Sequence, residues 1–507
     1  MNLARILSES AVVFGEKAAV VFGGRTCSFL DIERSVAQYA GLLKQREIGK
    51  GDRVAILLPK GMEFLFVHLA TLALGAMTVP LNPAYTAEEV AYFLADSGAA
   101  LLATERELFA KIEIPVRKMK NLQTIITSGG GQDGSPPLLS SAGKIEGRDP
   151  RNYPAGGDDG AMICYTSGTT GRSKGAVITH RNLISNMKAL QETWCWTDAD
   201  RLLHVLPMFH VHGLVVAMHG ALHAGSTVVM HEKFDPVGTL KALEQEKITV
   251  FMAVPTIYHR LLHHWETVKP DLREMRVFIS GSGPLSEDLF RKFEETTGLR
   301  ILERYGMTEA QMITSNPLNP GQRAPGSVGY PLPGVFLKIL STEGKAVVAG
   351  EVGEVWVKGD NVFKGYWNMP EKSAESFKEG WLQSGDLGYQ DPDDGFRLYL
   401  VGRCKELIIS GGYNVYPKEV ESVLERHGAV DETAVFGLPD EDFGEMVSAA
   451  VVLKHGIPRL DHEEVMVFSR KYLTGYKCPK KIFFLKALPR NAMGKIEKEM
   501  LRKMFSP

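Results

Sequence analysis

Short apolar runs alternate with helical, 3.6-period stretches through the first hundred residues. Val54-Ala55-Ile56-Leu57-Leu58 is an unbroken apolar run of strand length, and an apolar helical pattern follows it to about Leu72. Thr86-Ala87-Glu88-Glu89 has capping-box spacing, in which a threonine and a glutamate three residues on satisfy each other's backbone N–H groups, and predicts a helix start. Ala100-Leu101-Leu102-Ala103 predicts the next strand. Strands alternating with helices imply parallel sheets with helices packed on their faces. Met62 to Pro80 is the most apolar stretch, but it carries Glu63 and His68 and is interrupted by Gly75, so a core helix is expected rather than a membrane span. Ser128 to Gly160, rich in Gly, Ser, Pro and Asp, reads as a linker or a long surface loop. The α/β texture resumes from Ala161 to about Leu400 and becomes more β-rich after Gly326. Asp391-Pro392-Asp393-Asp394-Gly395 has hairpin-turn chemistry, and a boundary is expected near Gly402-Arg403-Cys404-Lys405.

At 507 residues the chain exceeds what one core supports, about 250–300 residues. The expected fold is α/β: a large N-terminal region of several subdomains, residues 1–402, with parallel sheets and a β-rich part, and a small α+β domain, residues 403–507. The 58 basic and 60 acidic residues nearly balance, which argues against a chain built to coat nucleic acid or anionic membrane. The cysteines (Cys27, Cys164, Cys195, Cys404, Cys478) are scattered and odd in number, so no disulfide framework is expected. The start has no run long enough for a secretory signal, and the cytoplasm is the expected compartment.

The segment richest in chemistry is Tyr165-Thr166-Ser167-Gly168-Thr169-Thr170-Gly171-Arg172-Ser173-Lys174-Gly175, between the apolar Met162-Ile163-Cys164 and a helix expected near Thr179-His180-Arg181-Asn182. Its glycines let backbone approach a ligand, and its hydroxyls, N–H groups and two cations suit phosphate. The spacing is not that of a Walker loop, because Arg172-Ser173-Lys174 stands where Gly-Lys-Ser/Thr is required.

This segment resembles the phosphate loop of the adenylate-forming superfamily: acyl-CoA synthetases, firefly-type luciferases and peptide-synthetase adenylation domains. Further segments similar to that family's motifs follow in order. They are Leu206-Pro207-Met208-Phe209-His210-Val211-His212-Gly213, Ser280-Gly281-Ser282-Gly283-Pro284-Leu285, Glu303-Arg304-Tyr305-Gly306-Met307-Thr308-Glu309 and Gly365-Tyr366-Trp367. Trp381-Leu382-Gln383-Ser384-Gly385-Asp386-Leu387-Gly388, Gly402-Arg403-Cys404-Lys405-Glu406, Gly411-Gly412-Tyr413-Asn414-Val415 and Pro489-Arg490-Asn491-Ala492-Met493-Gly494-Lys495 complete the series. The resemblance covers essentially the whole chain.

It implies an ATP-dependent, AMP-forming acid:CoA ligase that works through an acyl-adenylate, with ATP, Mg²⁺ and coenzyme A as reaction partners. Thr166, Ser167, Gly168, Thr169, Thr170 and Lys174 would hold the β- and γ-phosphates, Thr308 the α-phosphate and Glu309 the magnesium. Gly281, Ser282 and Gly283 would form the adenine turn, with Glu303, Arg304, Tyr305, Gly306 and Met307 beside it and the Tyr305 ring stacked on the base. Asp386 would accept the ribose hydroxyls, Arg403 would add a ribose or phosphate contact, and Lys495 would bridge the attacking carboxylate and the transferring phosphate. The same resemblance makes residues 403–507 a mobile domain pivoting at Lys405, with Gly411, Gly412 and Tyr413 lining a tunnel for the CoA thiol. Outside these motifs each residue has a plainer reading: turn aspartate for Asp386, core side chains for Tyr305 and Met307, solvated charge for Lys495.

The chain ends about a dozen residues after Lys495, so no carrier domain is expected and CoA is the expected acceptor. The motif stretches are most similar to those of bacterial malonyl-CoA synthetases, which implies malonate or a similar short dicarboxylic acid. A distal carboxylate needs a cation. Arg276, four residues before Ser280, is the candidate, with His210 as the other possible partner and Met307 also at the acid pocket. Gly283 and Ala310-Gln311-Met312 depart from the malonate pattern, and the alternative is a ligase for a neutral short-chain, medium-chain or aryl acid. A non-catalytic nucleotide-binding protein is the remote alternative, since Lys174, Glu309, Asp386, Arg403 and Lys495 are all present.

Overall fold

The computed structural model describes residues 1–120, 122–126, 152–166, 173–341, 344–457, 459–490 and 495–506. Within Met62–Ala73 every residue from Phe64 onward is buried. A helix apolar all round has to lie inside, between layers. Gly75, at φ 74°, then turns the chain into the strand Met77–Pro80. The apolar stretch read as one core helix is therefore a helix and a strand, divided where glycine accepts the left-handed backbone without steric cost.

The capping boxes at Thr86 and Thr179 start the helices Ala87–Ser97 and His180–Trp194. The expected strands occur as Arg53–Leu57 and Leu101–Thr104, parallel neighbours in one sheet. Among the described residues that sheet runs Gly365–Tyr366, Lys174–Thr179, Gly160–Thr166, Met77–Pro80, Arg53–Leu57, Leu101–Thr104, Gln123–Ile126. A second sheet has a parallel half ordered Leu302–Met307, Val277–Ser280, Val250–Ala253, Arg201–His204, Thr227–Met230, Ala18–Phe22. It continues past Leu302–Met307 as antiparallel strands, Gln311–Ser315, Ser327–Pro331, Arg397–Arg403, Trp381–Asp391, Gly353–Gly359 and Val335–Leu340, which form the β-rich part expected after Gly326. The Asp391 turn does connect two antiparallel strands of that part.

One apolar core joins both sheets through the helices Leu3–Phe14, Met62–Ala73 and His180–Trp194. The strand Arg397–Arg403 is the last of the large sheet. After the short turn Cys404–Glu406 a separate sheet begins, with Tyr413–Val415, Ile408–Ser410, Gly444–Leu453 and Val430–Asp440 in order and Lys481–Leu485 parallel to Gly444–Leu453. It has its own core around Val435, Val447 and Val465. Among the described residues no helix is long and apolar enough to cross a membrane.

Candidate active site

Parallel strands deliver their following loops to one edge of a sheet, and that edge is where α/β folds place ligands. Thr166 ends the strand Gly160–Thr166 and Lys174 begins its antiparallel neighbour. Ser167, Gly168, Thr169 and Thr170 between them lie outside the described residues, as do residues 491–494 ahead of Lys495. The Thr166 hydroxyl donates to Glu309 Oε1 at 3.3 Å, and the Tyr366 hydroxyl donates to the same oxygen at 3.0 Å. The Lys174 ammonium sits 4.5 Å from the centre of the Tyr366 ring. Tyr366 thus holds both a carboxylate and a cation of the site, although its motif reads from sequence only as a structural one. Gln311, a departure from the expected pattern, holds the Thr308 carbonyl through its side-chain amide at 3.0 Å.

Asp386 is buried, and both of its oxygens are engaged. Tyr305 donates to Oδ2 at 2.5 Å and Arg403 reaches Oδ1 at 3.1 Å, across the paired strands that set residue 386 opposite residue 403. Each carboxylate oxygen retains a lone pair for a further donor. Glu303 lies against the turn expected to face the nucleotide. Its carboxylate is buried under the turn and accepts the Leu285 N–H at 2.9 Å, bracing residues 281–285. Burial pushes its carboxyl up to about 7 against the opposing pull of Lys418, the Leu285 N–H and Arg304.

Arg304 has the most unusual environment in the cleft. It is 2% exposed, and none of its three guanidinium nitrogens has a hydrogen-bond partner among the described residues. It packs against Gly281 so closely that a Cβ there would lie 2.4 Å from its central carbon, so a side chain at 281 would displace the guanidinium. Burial draws its pKa down to about 9, which still leaves it charged at neutral pH. Beside it, His212 Nδ1 pairs with the Ser282 hydroxyl at 3.1 Å while Nε2 is buried without a hydrogen-bond partner among the described residues; Ser282 itself sits at φ 66°. The His210 ring nitrogen Nδ1 accepts the His212 N–H at 3.3 Å. Burial, then the charges of Lys495 and Arg304, draw His210 down to about 3, so it is neutral.

Lys495 reaches the same cleft from the C-terminal sheet's side. Desolvation and Arg403 lower its pKa, while Asp386 and Glu309 act to raise it. Lys405, in the turn Cys404–Glu406, is exposed and is lowered by desolvation and then by Lys174 and Arg403. Gly411, Gly412 and Tyr413 are exposed on the hairpin between Ile408–Ser410 and Tyr413–Val415; the Tyr413 ring stacks on Tyr476 at 4.8 Å. Among the described residues, none of the three shares a hydrogen bond or ion pair with Glu309 or Asp386.

Arg276 does not lie where the acid-pocket expectation places it. Its guanidinium pairs with both oxygens of Asp200, each at 2.9 Å, and donates to the Trp194 carbonyl at 2.7 Å. The reason is strand polarity. Residue 276 precedes the strand Val277–Ser280, so it lies at the edge opposite the turn, about 13 Å away at roughly 3.3 Å per residue.

A cleft at the end of parallel strands that gathers Lys174, Arg304, Arg403 and Lys495 around Glu309 and Asp386 is built for several anions at once, which is the requirement for joining a carboxylate to a nucleotide phosphate. The chain belongs to the AMP-binding enzyme family: the family's main model matches residues 7–367, and the AMP-binding enzyme C-terminal domain matches residues 419–495. It is an AMP-forming acid–thiol ligase. It is 38% identical to a long-chain-fatty-acid–CoA ligase of Bacillus subtilis, over 99% of this chain and 94% of that protein. It is 36% identical to a malonate–CoA ligase of Arabidopsis thaliana, over 90% and 78%. Among solved structures, ATP-bound MatB from Rhodopseudomonas palustris matches with TM-score 0.90 at 39% identity, over 100% of this chain and 99% of that one. The apo form of MatB matches with TM-score 0.81.

Proposed function

We propose that this ligase activates malonate, or a dicarboxylic acid of similar length, and transfers it to CoA. The relatives' names span long-chain fatty acids and malonate and do not choose between them. The observation that carries the choice is Arg304, a buried guanidinium without a hydrogen-bond partner among the described residues, packed against the turn at Gly281. A buried charge is costly unless it is paired, and a substrate's distal carboxylate supplies the missing pair. A neutral acid leaves it unpaired. Ser282 and His212 Nε2, which has no hydrogen-bond partner among the described residues, offer further hydrogen bonds beside it.

In this reading the near carboxylate attacks the α-phosphorus of ATP and pyrophosphate leaves. Thr166 and Lys174 hold the phosphate tail, with Ser167, Gly168, Thr169 and Thr170 supplying the intervening loop, and Thr308 meets the α-phosphate. Asp386 and Arg403 hold the ribose, and Lys495 stands between the two anions, where its charge offsets their repulsion. Glu309 fits a magnesium site anchored mainly by phosphate: one oxygen is bonded to Tyr366 and Thr166, and no cluster of three or more His, Cys, Asp or Glu residues gathers near it among those described. Magnesium, when bound there, would neutralise phosphate charge. The CoA sulfur then attacks the acyl carbon and AMP leaves. Residues 403–507 would act as the mobile domain pivoting at Lys405, bringing Gly411, Gly412 and Tyr413 to the cleft for this second step. The higher TM-score with the ATP-bound neighbour supports reading the present pose as the adenylating one.

The test is CoA-dependent AMP release across malonate, methylmalonate, succinate, acetate, butyrate, hexanoate and benzoate. Preference for malonate or methylmalonate supports the proposal. Preference for a neutral acid keeps the ligase and discards the dicarboxylate.

A further inference from the structure

Lys498 opens the helix Lys498–Phe505, three residues after Lys495. Its ammonium lies between Glu421 Oε1 at 2.7 Å and Glu406 Oε2 at 3.2 Å, and the lysine side chain is only 16% exposed. Glu406 closes the short turn that contains Lys405, and Glu421 belongs to the helix Pro417–Leu424. Three separate segments therefore meet on one largely covered cation. The two carboxylates outweigh burial and raise its pKa, so it is charged.

Docking of the terminal helix does not explain this arrangement. Leu501 is fully buried and the Phe505 ring stacks on Phe483 at 3.8 Å, which anchors the helix by apolar contact. A buried ion pair adds little net stability over such packing, because desolvation offsets most of the attraction. What the apolar contacts leave undone is the link to the turn at Lys405. The loop carrying Lys495 is closed at its base by the Arg490–Ile496 bridge and by the Glu497 N–H donating to the Pro489 carbonyl at 2.9 Å. Lys498 ties that base to the residue next to the pivot.

We propose that Lys498 is a positioning residue: through Glu406 it couples the Lys495 segment to the turn at Lys405, so that closure of the C-terminal domain delivers the Lys495 ammonium to a fixed place in the cleft. The inference rests on Lys495 acting in adenylation and Lys405 as pivot. Glu406, Glu421 and Lys498 all follow the pivot in sequence and travel together. The thioester step, which uses the Gly411 face, does not depend on the clamp.

The two half-reactions separate the possibilities: acid-dependent pyrophosphate–ATP exchange, and CoA-dependent consumption of synthetic acyl-adenylate. Lys498→Met and Glu406→Gln are expected to lower the exchange kcat about 10- to 100-fold, the scale of a 1 Å misplacement, with the ATP KM nearly unchanged. Thioester formation from the adenylate should stay at wild-type level in the same preparations, which also shows that they are folded. Lys498→Arg should restore most of the exchange. Equal loss in both half-reactions, or no loss in either, overturns the proposal. Lys495→Ala distinguishes its basis. If that variant retains exchange, the reading of Lys495 is wrong; if it loses exchange while Lys498→Met keeps it, only the clamp falls.

Discussion

Replacing Arg304 with methionine should make the unliganded protein more stable and a worse dicarboxylate ligase. Holding the guanidinium in its buried place draws its pKa from the ordinary arginine value down to about 9. At about 1.36 kcal/mol per pH unit, that is on the order of 5 kcal/mol spent on burying the charge. Methionine has similar length, carries no charge and fills irregular space well, so part of that cost is recovered as stability. The catalytic loss is set by what the carboxylate would have gained: two charge-assisted hydrogen bonds at about 1.5–3 kcal/mol each, or roughly 10²- to 10⁴-fold in kcat/KM. The assay is AMP release with malonate and with butyrate, beside thermal unfolding without ligand. The expected result is a raised Tm, malonate kcat/KM down by that factor, and butyrate unchanged or improved. Equal losses for both acids, together with a lowered Tm, would make Arg304 a structural residue and remove the ground for the dicarboxylate.

Tyr366→Phe keeps the ring under Lys174 but removes a hydrogen bond to Glu309. Adenylation should fall by about 3- to 10-fold, the worth of about 0.5–1.5 kcal/mol, with a higher magnesium requirement in a titration of AMP release. Arg276→Ala strands the Asp200 carboxylate, whose side chain is 5% exposed, and should cost about 3–5 kcal/mol in denaturant unfolding while the ratio of malonate to butyrate turnover stays the same; a changed ratio would return Arg276 to the acid site. Buried His204 and His219 are each drawn down to about 3, chiefly by burial, and are neutral in the fold. Their folded pKa lies below the unfolded value, so the stability they contribute is complete above about pH 6.5 and is lost as pH falls toward 3. Each should cost about 1.4 kcal/mol by pH 5.5. Urea midpoints at pH 7.5 and 5.5 check this, and equal midpoints would contradict it.

Relations carried within a few residues are legible in the sequence itself. The Thr86–Glu89 capping box, the strand after Arg53 and the turn at Asp391 depend on local hydrogen bonding and apolar patterning, and each forms where those predict. The order of motifs along the chain likewise identifies the family. The division of Met62 to Pro80 is harder to read for a local reason: buried helix and buried strand are equally apolar, and only the backbone at Gly75 separates them.

The partners of charged side chains are decided by tertiary structure alone. Arg276 precedes one strand of the large sheet and Arg304 lies within the neighbouring strand, and sequence distance to Ser280 does not tell their surroundings apart. Chain direction sends Arg276 to Asp200 at one edge, while Arg304 faces Gly281 at the other, with no hydrogen-bond partner among the described residues. Tyr366 meets Glu309 across 57 residues, and Lys498 meets Glu406 and Glu421 from the far end of the chain. Local sequence sets backbone geometry because backbone hydrogen bonds close over a few residues. Charge pairing and desolvation depend on which segments are brought within a few ångströms, and only the folded chain determines that.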